Sequence, residues 1–484
     1  MEFLKNNKYN ILFAIIIIAY ALIIFTTGYY HEPWADEAQA FIHARDYSVT
    51  ELFFEKLKYE GHPIVWYLII KFLLLFKFIS SSTIYENLFV LTCLLQVFAV
   101  YLFLFKSKIP LLLKILIPFT FFIVYQYPVV ARNHSIVFPL LAVLATFFYA
   151  NRTKNPYIYS FLLIILANIS AYTYTLSCVL SAFFLYDIWG KNKFKIKKYI
   201  PTLITGLSLF ITALYLNKPK DCTFPANFNF DNLSIDELLY NLHLSFFNYE
   251  NEWLSVVELC IVLIFYCSAA RIFCQNRYQL TLFIAINLSV LFLQTVFYAN
   301  DWHYGYTILF LIFSLWILTD KNNQEKITIK KHFLFIISAV TLLITQICWG
   351  LKSIQFDING NYCASKAVTD YIKEEQLYNK DIAVVGFKSV ALHPYFEQNI
   401  FYNLDKHSLS SWKKEIKEHS VENIKGRKPD ILILPKENMI EFIYLAKGYI
   451  ESKEYCGYLF SKGVIKENNC FLLYKLDNAE KDKM

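Results

Sequence analysis

Between residues 11 and 351 the chain returns repeatedly to apolar runs of about the length an α-helix needs to cross the hydrocarbon layer of a membrane. Eleven runs read this way: 11–30, 84–105, 109–127, 135–150, 157–175, 176–189, 199–216, 253–270, 279–298, 304–319 and 332–351. No other feature constrains the fold as strongly. Inside hydrocarbon the backbone has no water to bond, so a spanning segment must satisfy its own N–H and C=O groups as a helix. Composition agrees: 56% of residues are hydrophobic and 18% charged, against about a quarter charged in soluble chains. The expected fold is a mainly α, polytopic membrane protein. Lys5 and Lys8 precede the first run as in a signal peptide, but the run continues too far and no small-residue cleavage site follows it. It is expected to be an anchor.

The segment 64–79 carries Lys71 and Lys77 and is short for a span. If it crossed the bilayer, every later loop would change sides. The positive-inside rule decides between the two layouts. With 64–79 along the surface, the basic loops 106–108, 151–156, 191–198, 271–277 and 320–331 share the cytoplasmic side with the N-terminal lysines. Segment 64–79 is therefore expected to be a juxtamembrane helix. The polar stretches 31–63, 127–135, 171–175, 217–252 and 299–305 then gather on the outer face. The net charge of +7 is spread over short interhelical loops, which sets orientation among membrane lipids and offers no nucleic-acid-binding face.

After Leu351 the character changes, and residues 352–484 are expected to form a small outer α/β domain. Strand-like runs stand at 382–386, 431–435, 458–460 and 470–476, with helical patterns at 363–377 and 411–424. The last two strands read as a terminal hairpin. Cys456 and Cys470 are either bridged there, if the compartment is oxidising, or buried as free thiols. Cys93, Cys178, Cys260, Cys267, Cys274 and Cys348 lie in or beside apolar runs without metal-ligand spacing and read as small buried hydrophobes.

The most informative polar stretch is the loop 31–63. Ser48-Val49-Thr50-Glu51 is a capping box, expected to start a short interfacial helix with Val49, Leu52, Phe53 and Leu57 on its apolar side. Asp36 and Glu37 follow Trp34 just beyond the first run. A lone acid pair ordinarily caps or solvates a loop, but desolvation beside Trp34 and the membrane would raise a carboxylate's basicity and suit a general base. Glu60-Gly61-His62-Pro63 closes the loop as a turn, a phosphate contact or a pair of metal ligands. Two ligands without a third leave a divalent cation a bare possibility. Arg132 and His134 stand between two apolar runs, and His303 stands in Asp301-Trp302-His303-Tyr304-Gly305. Each could be a snorkelling or capping side chain alone. Gathered on one face beside an acid pair, with Lys71 on the surface helix able to join, they suggest a site for an anionic lipid phosphate. With 12 glycines in all, the chain has no glycine-rich phosphate loop.

Trp34-Ala35-Asp36-Glu37-Ala38-Gln39, then Glu60-Gly61-His62-Pro63 and Trp66-Tyr67, resembles the first outer loop of GT-C fold glycosyltransferases. The nearest group is the bacterial enzymes related to protein O-mannosyltransferases and aminoarabinose transferases. Ala131-Arg132-Asn133-His134 is similar to that family's Ala-Arg-x-Tyr segment. The resemblance covers roughly the first 135 residues and recurs weakly at His303. It implies a GT-C-like module over 1–351 in a bacterial plasma membrane, acting on the outer face. Its reaction would be transfer of a sugar from a polyprenyl-phosphate-linked donor to a lipid, glycan or protein acceptor. Asp36 would be the base and Glu37 would help place the acceptor. Glu60 and His62, with His134 nearby, would position a metal, the carrier phosphate or the acceptor; Arg132, His303 and Lys71 would bind the donor. Two departures are Ile64, where a second proline is common, and Trp302, where relatives often place arginine. The competing readings are a transporter or flippase of lipid-linked sugars, which calls for ionisable residues in mid-span, and a non-catalytic subunit of a glycan assembly complex.

Overall fold

Long apolar runs become helices because each closes its own backbone hydrogen bonds, while the polar segments fold where several helices can share them. The computed structural model describes residues 2–192, 196–223, 228–248, 252–274, 276–321, 332–404, 412 and 421–477. They form a mainly helical body with a four-stranded sheet near the C-terminus. Five helices are long and apolar enough to cross a membrane: Lys8–Tyr30, Ser81–Lys106, Trp253–Phe273, Arg277–Val296 and Phe333–Asn359. The pair Leu111–Phe119 and Phe122–Val129, bent by 51°, makes a sixth if it is one span. Other expected runs fall on shorter apolar helices, Asn133–Phe148, Pro156–Ala167, Ile200–Tyr215 and Gly305–Thr319, and 176–189 lies within the helix Ala171–Asn192. By length and composition, then, five or six helices among the described residues qualify as spans. Val65–Leu74 has 10 residues, about 15 Å of helix, half of a hydrocarbon layer about 30 Å thick.

Local chemistry explains where the elements depart from expectation. The run 157–175 breaks after Ala167, where Asn168 Nδ2 donates back to Ile164 O, and a new helix starts at Ala171. Ser170 and Thr173 exchange backbone-to-hydroxyl bonds of 3.0 and 3.2 Å across that start, so the polar stretch 171–175 is a helix start rather than a loop. The bend in the sixth candidate follows Pro118, which has no N–H for the helical ladder, and Phe122–Gln126 winds as a π-helix. Ser48 and Glu51 do form the capping box, with bonds of 3.2 and 2.7 Å. The helix stops at Glu51, however, and continues as a π turn and a 3-10 turn; Leu52 and Leu57 are buried while Val49 is exposed. The last long helix runs on to Asn359, past the boundary expected at Leu351.

The sheet contains β1 (Ile382–Val384), β2 (Ile431–Pro435), β3 (Tyr449–Ser461) and β4 (Val464–Leu476), in the order β1-β2-β4-β3. Strands β1 and β2 are parallel and the other pairs antiparallel. Both faces are covered over β1, β2 and the second half of β4, while β3 is largely exposed. Ile382, Val384, Ile431, Ile433, Phe471 and Leu473 join the core of the helical body, while Ala383, Val385, Leu432, Leu434, Leu472 and Tyr474 form a second cluster outside it. Period-two alternation with both sides buried is why these strands read as unbroken apolar runs. Cys456 and Cys470 are opposite each other in the hairpin and form a disulfide. Of the expected helices in this region, one is Ser365–Glu374, and 411–424 lies mostly outside the described residues.

The helix α1 (Glu2–Tyr30) ends at a buried ionic knot. His31 Nδ1 lies 2.8 Å from Asp357 Oδ2 and His31 Nε2 lies 3.2 Å from Glu37 Oε2, with all three side chains almost fully enclosed. Tyr125 OH donates to the same Asp357 oxygen at 2.9 Å. Burial alone would lower the His31 pKa, but Asp357 and then Glu37 push it up to about 10. The imidazolium therefore contributes its full stability below its ordinary value of 6.5, and that contribution is lost as pH rises toward about 10. Removing one partner strands a buried charge, so Asp357→Asn is expected to cost about 3–5 kcal/mol. Thermal unfolding in detergent checks this: the variant should melt lower at neutral pH, and His31→Gln should lose the stability slope between pH 6.5 and about 10.

Candidate active site

A second helix, α2 (Ala35–Asp46), begins directly after the knot. Consecutive residues on a helix diverge by about 100°, so Asp36 and Glu37 leave its first turn in different directions. Glu37 goes to the knot: its carboxylate accepts from Trp34 N at 3.2 Å and from Ala131 N at 2.7 Å, besides meeting His31. It does not line the cavity; its oxygens are taken by the knot and by the backbone of Trp34 and Ala131. Asp36 faces a cavity of about 210 Å³. Glu60, His62, Arg132 and His303 line the same cavity.

Each of these side chains arrives by a specific local device. Gly61 has φ +67°, and this left-handed turn lets Glu60 and His62, on either side of it, face one space. Arg132 donates to the backbone oxygen of Asp36, and its guanidinium lies 3.8 Å from the Asp36 carboxylate. Asn133 Nδ2 donates to Ile169 O at 2.9 Å and to His62 Nδ1 at 3.4 Å. Asn300 N–H donates to His303 Nδ1 at 3.0 Å, which leaves the proton of the neutral ring on Nε2. The His303 ring stacks on Tyr172 with centroids 5.1 Å apart.

Burial dominates the electrostatics. It raises the Asp36 pKa, with Glu37 adding and Arg132 opposing. Glu60 is pushed well above the ordinary carboxylate range by burial, with Asp36 adding and Arg132 opposing, which favours its proton-bearing form. His62 is driven well down by burial, then by Arg132 and His303. His303 is driven down to about 3 by burial and Arg132. Among the described lining residues Arg132 is thus the one permanent cation, beside a carboxylate of raised basicity and two neutral imidazoles.

Two expected members lie elsewhere. His134 sits behind the wall, with Nδ1 3.2 Å from Tyr306 OH and its ring edge-on to His303. Lys71 is on Val65–Leu74 and does not line the cavity. Several wall residues escaped the sequence reading as site members. Trp302, edge-on to Trp34 at 5.9 Å, and Tyr172 belong to stretches already marked as polar and outward. Phe387 and Trp412, whose rings are 5.0 Å apart, come from the C-terminal region and gave no local signal.

The residues expected for a metal do not assemble a three-ligand set. Among the described residues, the grouping of three or more His, Cys, Asp or Glu ligand atoms within 4.8 Å of one another is Glu454, Cys456 and Cys470, and both sulfurs there are in the disulfide. Glu60 Oε1 instead lies 3.9 Å from His43 Nε2. No protein-family model matches this chain, and no curated protein matches it significantly. The tautomer assignment has a direct check: nitrogen-labelled histidine spectra should keep His303 neutral with its proton on Nε2 between about pH 5 and 8. Titration of that ring near its ordinary 6.5 would contradict the site's electrostatics.

Proposed function

We propose that the chain is a GT-C-like membrane glycosyltransferase, with eleven spans and its cavity on the outer face, that moves a sugar from a polyprenyl phosphate to an acceptor. The observation that carries this is the meeting of Asp36, Arg132, His62 and His303 in one aromatic-walled cavity. Its volume of about 210 Å³ gives room for several waters or one small polar ligand. Flat aromatic walls suit the apolar faces of a sugar ring, and a few fixed polar groups orient it.

The chemistry follows from the charges. The acceptor hydroxyl attacks the anomeric carbon, its proton passes to Asp36, and the bond from that carbon to the phosphate oxygen breaks. The electron pair leaves with the polyprenyl phosphate. Negative charge develops on that oxygen, where Arg132 and the Nε2–H of His303 are placed to stabilise it more than the ground state. One displacement with one base inverts the anomeric centre. The raised pKa makes Asp36 a better proton acceptor than an ordinary aspartate, at the cost of being protonated sooner as pH falls.

The test is donor consumption by the purified full chain in nanodiscs, offered a panel of polyprenyl-phosphate sugars with candidate acceptors. Asp36→Asn is expected to lower kcat by about 10²–10⁴ while carrier binding survives. Arg132→Met is expected to lose about 10²–10³ in kcat/KM. The wild-type rate should fall with acid through a midpoint above 3.8, the ordinary aspartate value. Equal turnover by wild type and Asp36→Asn would remove Asp36 from the reaction.

A further inference from the structure

The turn between β3 and β4 consists of Lys462 and Gly463, with φ values of +51° and +72°. Two successive positive φ values are what a type I′ turn requires, and Asn or Gly meets the first position most cheaply. A lysine there is strained, and this one is also buried, its side chain 1% exposed. A residue that is locally unfavourable on both counts points to a compensating use of its side chain.

That use is visible across the fold. Lys462 Nζ donates to Leu244 O at 2.7 Å, lies 3.3 Å from Asp301 Oδ1 and sits 4.5 Å from the centre of the Tyr304 ring. Lys466 holds the other Asp301 oxygen at 2.9 Å. Gly463 N donates to Ser353 Oγ at 3.1 Å, so the tip is docked on the last long helix. A Cβ at Gly463 would come within 2.9 Å of Lys352 Cβ, which shows how closely the tip is seated. Asp301 stands between Asn300 on one side and Trp302 and His303 on the other, and all three of these line the cavity. Tyr127 OH fixes Trp302 O at 2.9 Å and Gln294 fixes His303 O at 3.2 Å. The lysines anchor the same turn through its side chain.

We infer that Lys462 is a positioning residue: acting through Asp301, the buried tip of the terminal hairpin fixes the turn that presents Asn300, Trp302 and His303 to the cavity. Hairpin stability alone does not explain the ion pair, because a buried pair is often no better for stability than well-packed apolar residues. The inference rests on the transferase reading for its kinetic consequence, and on geometry alone for its effect on the turn.

Lys462→Asn separates positioning from folding, because asparagine suits the turn but cannot reach Asp301. Asp301→Asn leaves the hairpin turn untouched and serves where the first variant fails to fold. Both are compared with wild type, as full chains in nanodiscs, by hydrogen exchange without substrate and by donor kinetics. Exchange over 297–304 is expected to rise while β1 and β2 stay protected. Donor kcat/KM should fall by about ten- to a hundredfold, the effect of a displaced catalytic group. The double variant should lose less than the sum of the single ones, since the two share the Lys462–Asp301 pair. Unchanged exchange over 297–304 in a folded Lys462→Asn or Asp301→Asn protein overturns the inference, whatever the kinetics. A wild type that consumes no donor would instead overturn the transferase reading, leaving exchange to decide this one.

Discussion

The helical body depends on one buried charge arrangement, His31 held between Glu37 and Asp357. It joins the end of the first long helix to the start of α2, the bent pair through Tyr125 and the end of the last long helix. Breaking any of these pairs would strand a buried charge, so the knot ties four segments together. The cavity inherits that arrangement. Glu37 is held in the knot, and because its neighbour leaves the helix in another direction, Asp36 is delivered to the cavity from a fixed base.

The same enclosure gives the cavity its chemistry. The side chains are buried among aromatic rings, so a carboxylate there gains basicity and the imidazoles stay neutral. Arg132 supplies the positive point beside Asp36. A base and a cation a few ångströms apart, with hydrogen-bond donors around them, suit a reaction that takes a proton from one oxygen and leaves charge on another.

Much of the candidate cavity was legible in the sequence because its lining residues sit in short polar stretches between apolar runs. Asp36, Glu60, His62, Arg132 and His303 are all of this kind, and the cavity lies where those stretches meet. The strands were legible as apolar runs, although only the end of β3 was marked, and the hairpin brought Cys456 near Cys470 without deciding whether they are bridged. Other features depend on separations that a local pattern cannot carry. His31 and Asp357 are 326 positions apart, and nothing near either announces the other. Phe387 and Trp412 reach the cavity only because the sheet packs on the helical core. Glu37 and Lys71, named from the same polar region, lie off the cavity wall: Glu37 turns to His31 and Ala131, and Lys71 sits on the neighbouring helix Val65–Leu74.

The central claim, that this cavity moves a sugar off a polyprenyl phosphate in one displacement, is most directly tested by the products. The full chain in nanodiscs would be supplied with an anomerically pure polyprenyl-phosphate sugar and an acceptor. Free polyprenyl phosphate and the anomeric configuration of the product would be followed together by NMR. The account expects carrier release in step with product and an inverted anomeric centre. Retention of configuration would contradict the single displacement with Asp36 as its base, and no release from any donor would contradict the transferase itself.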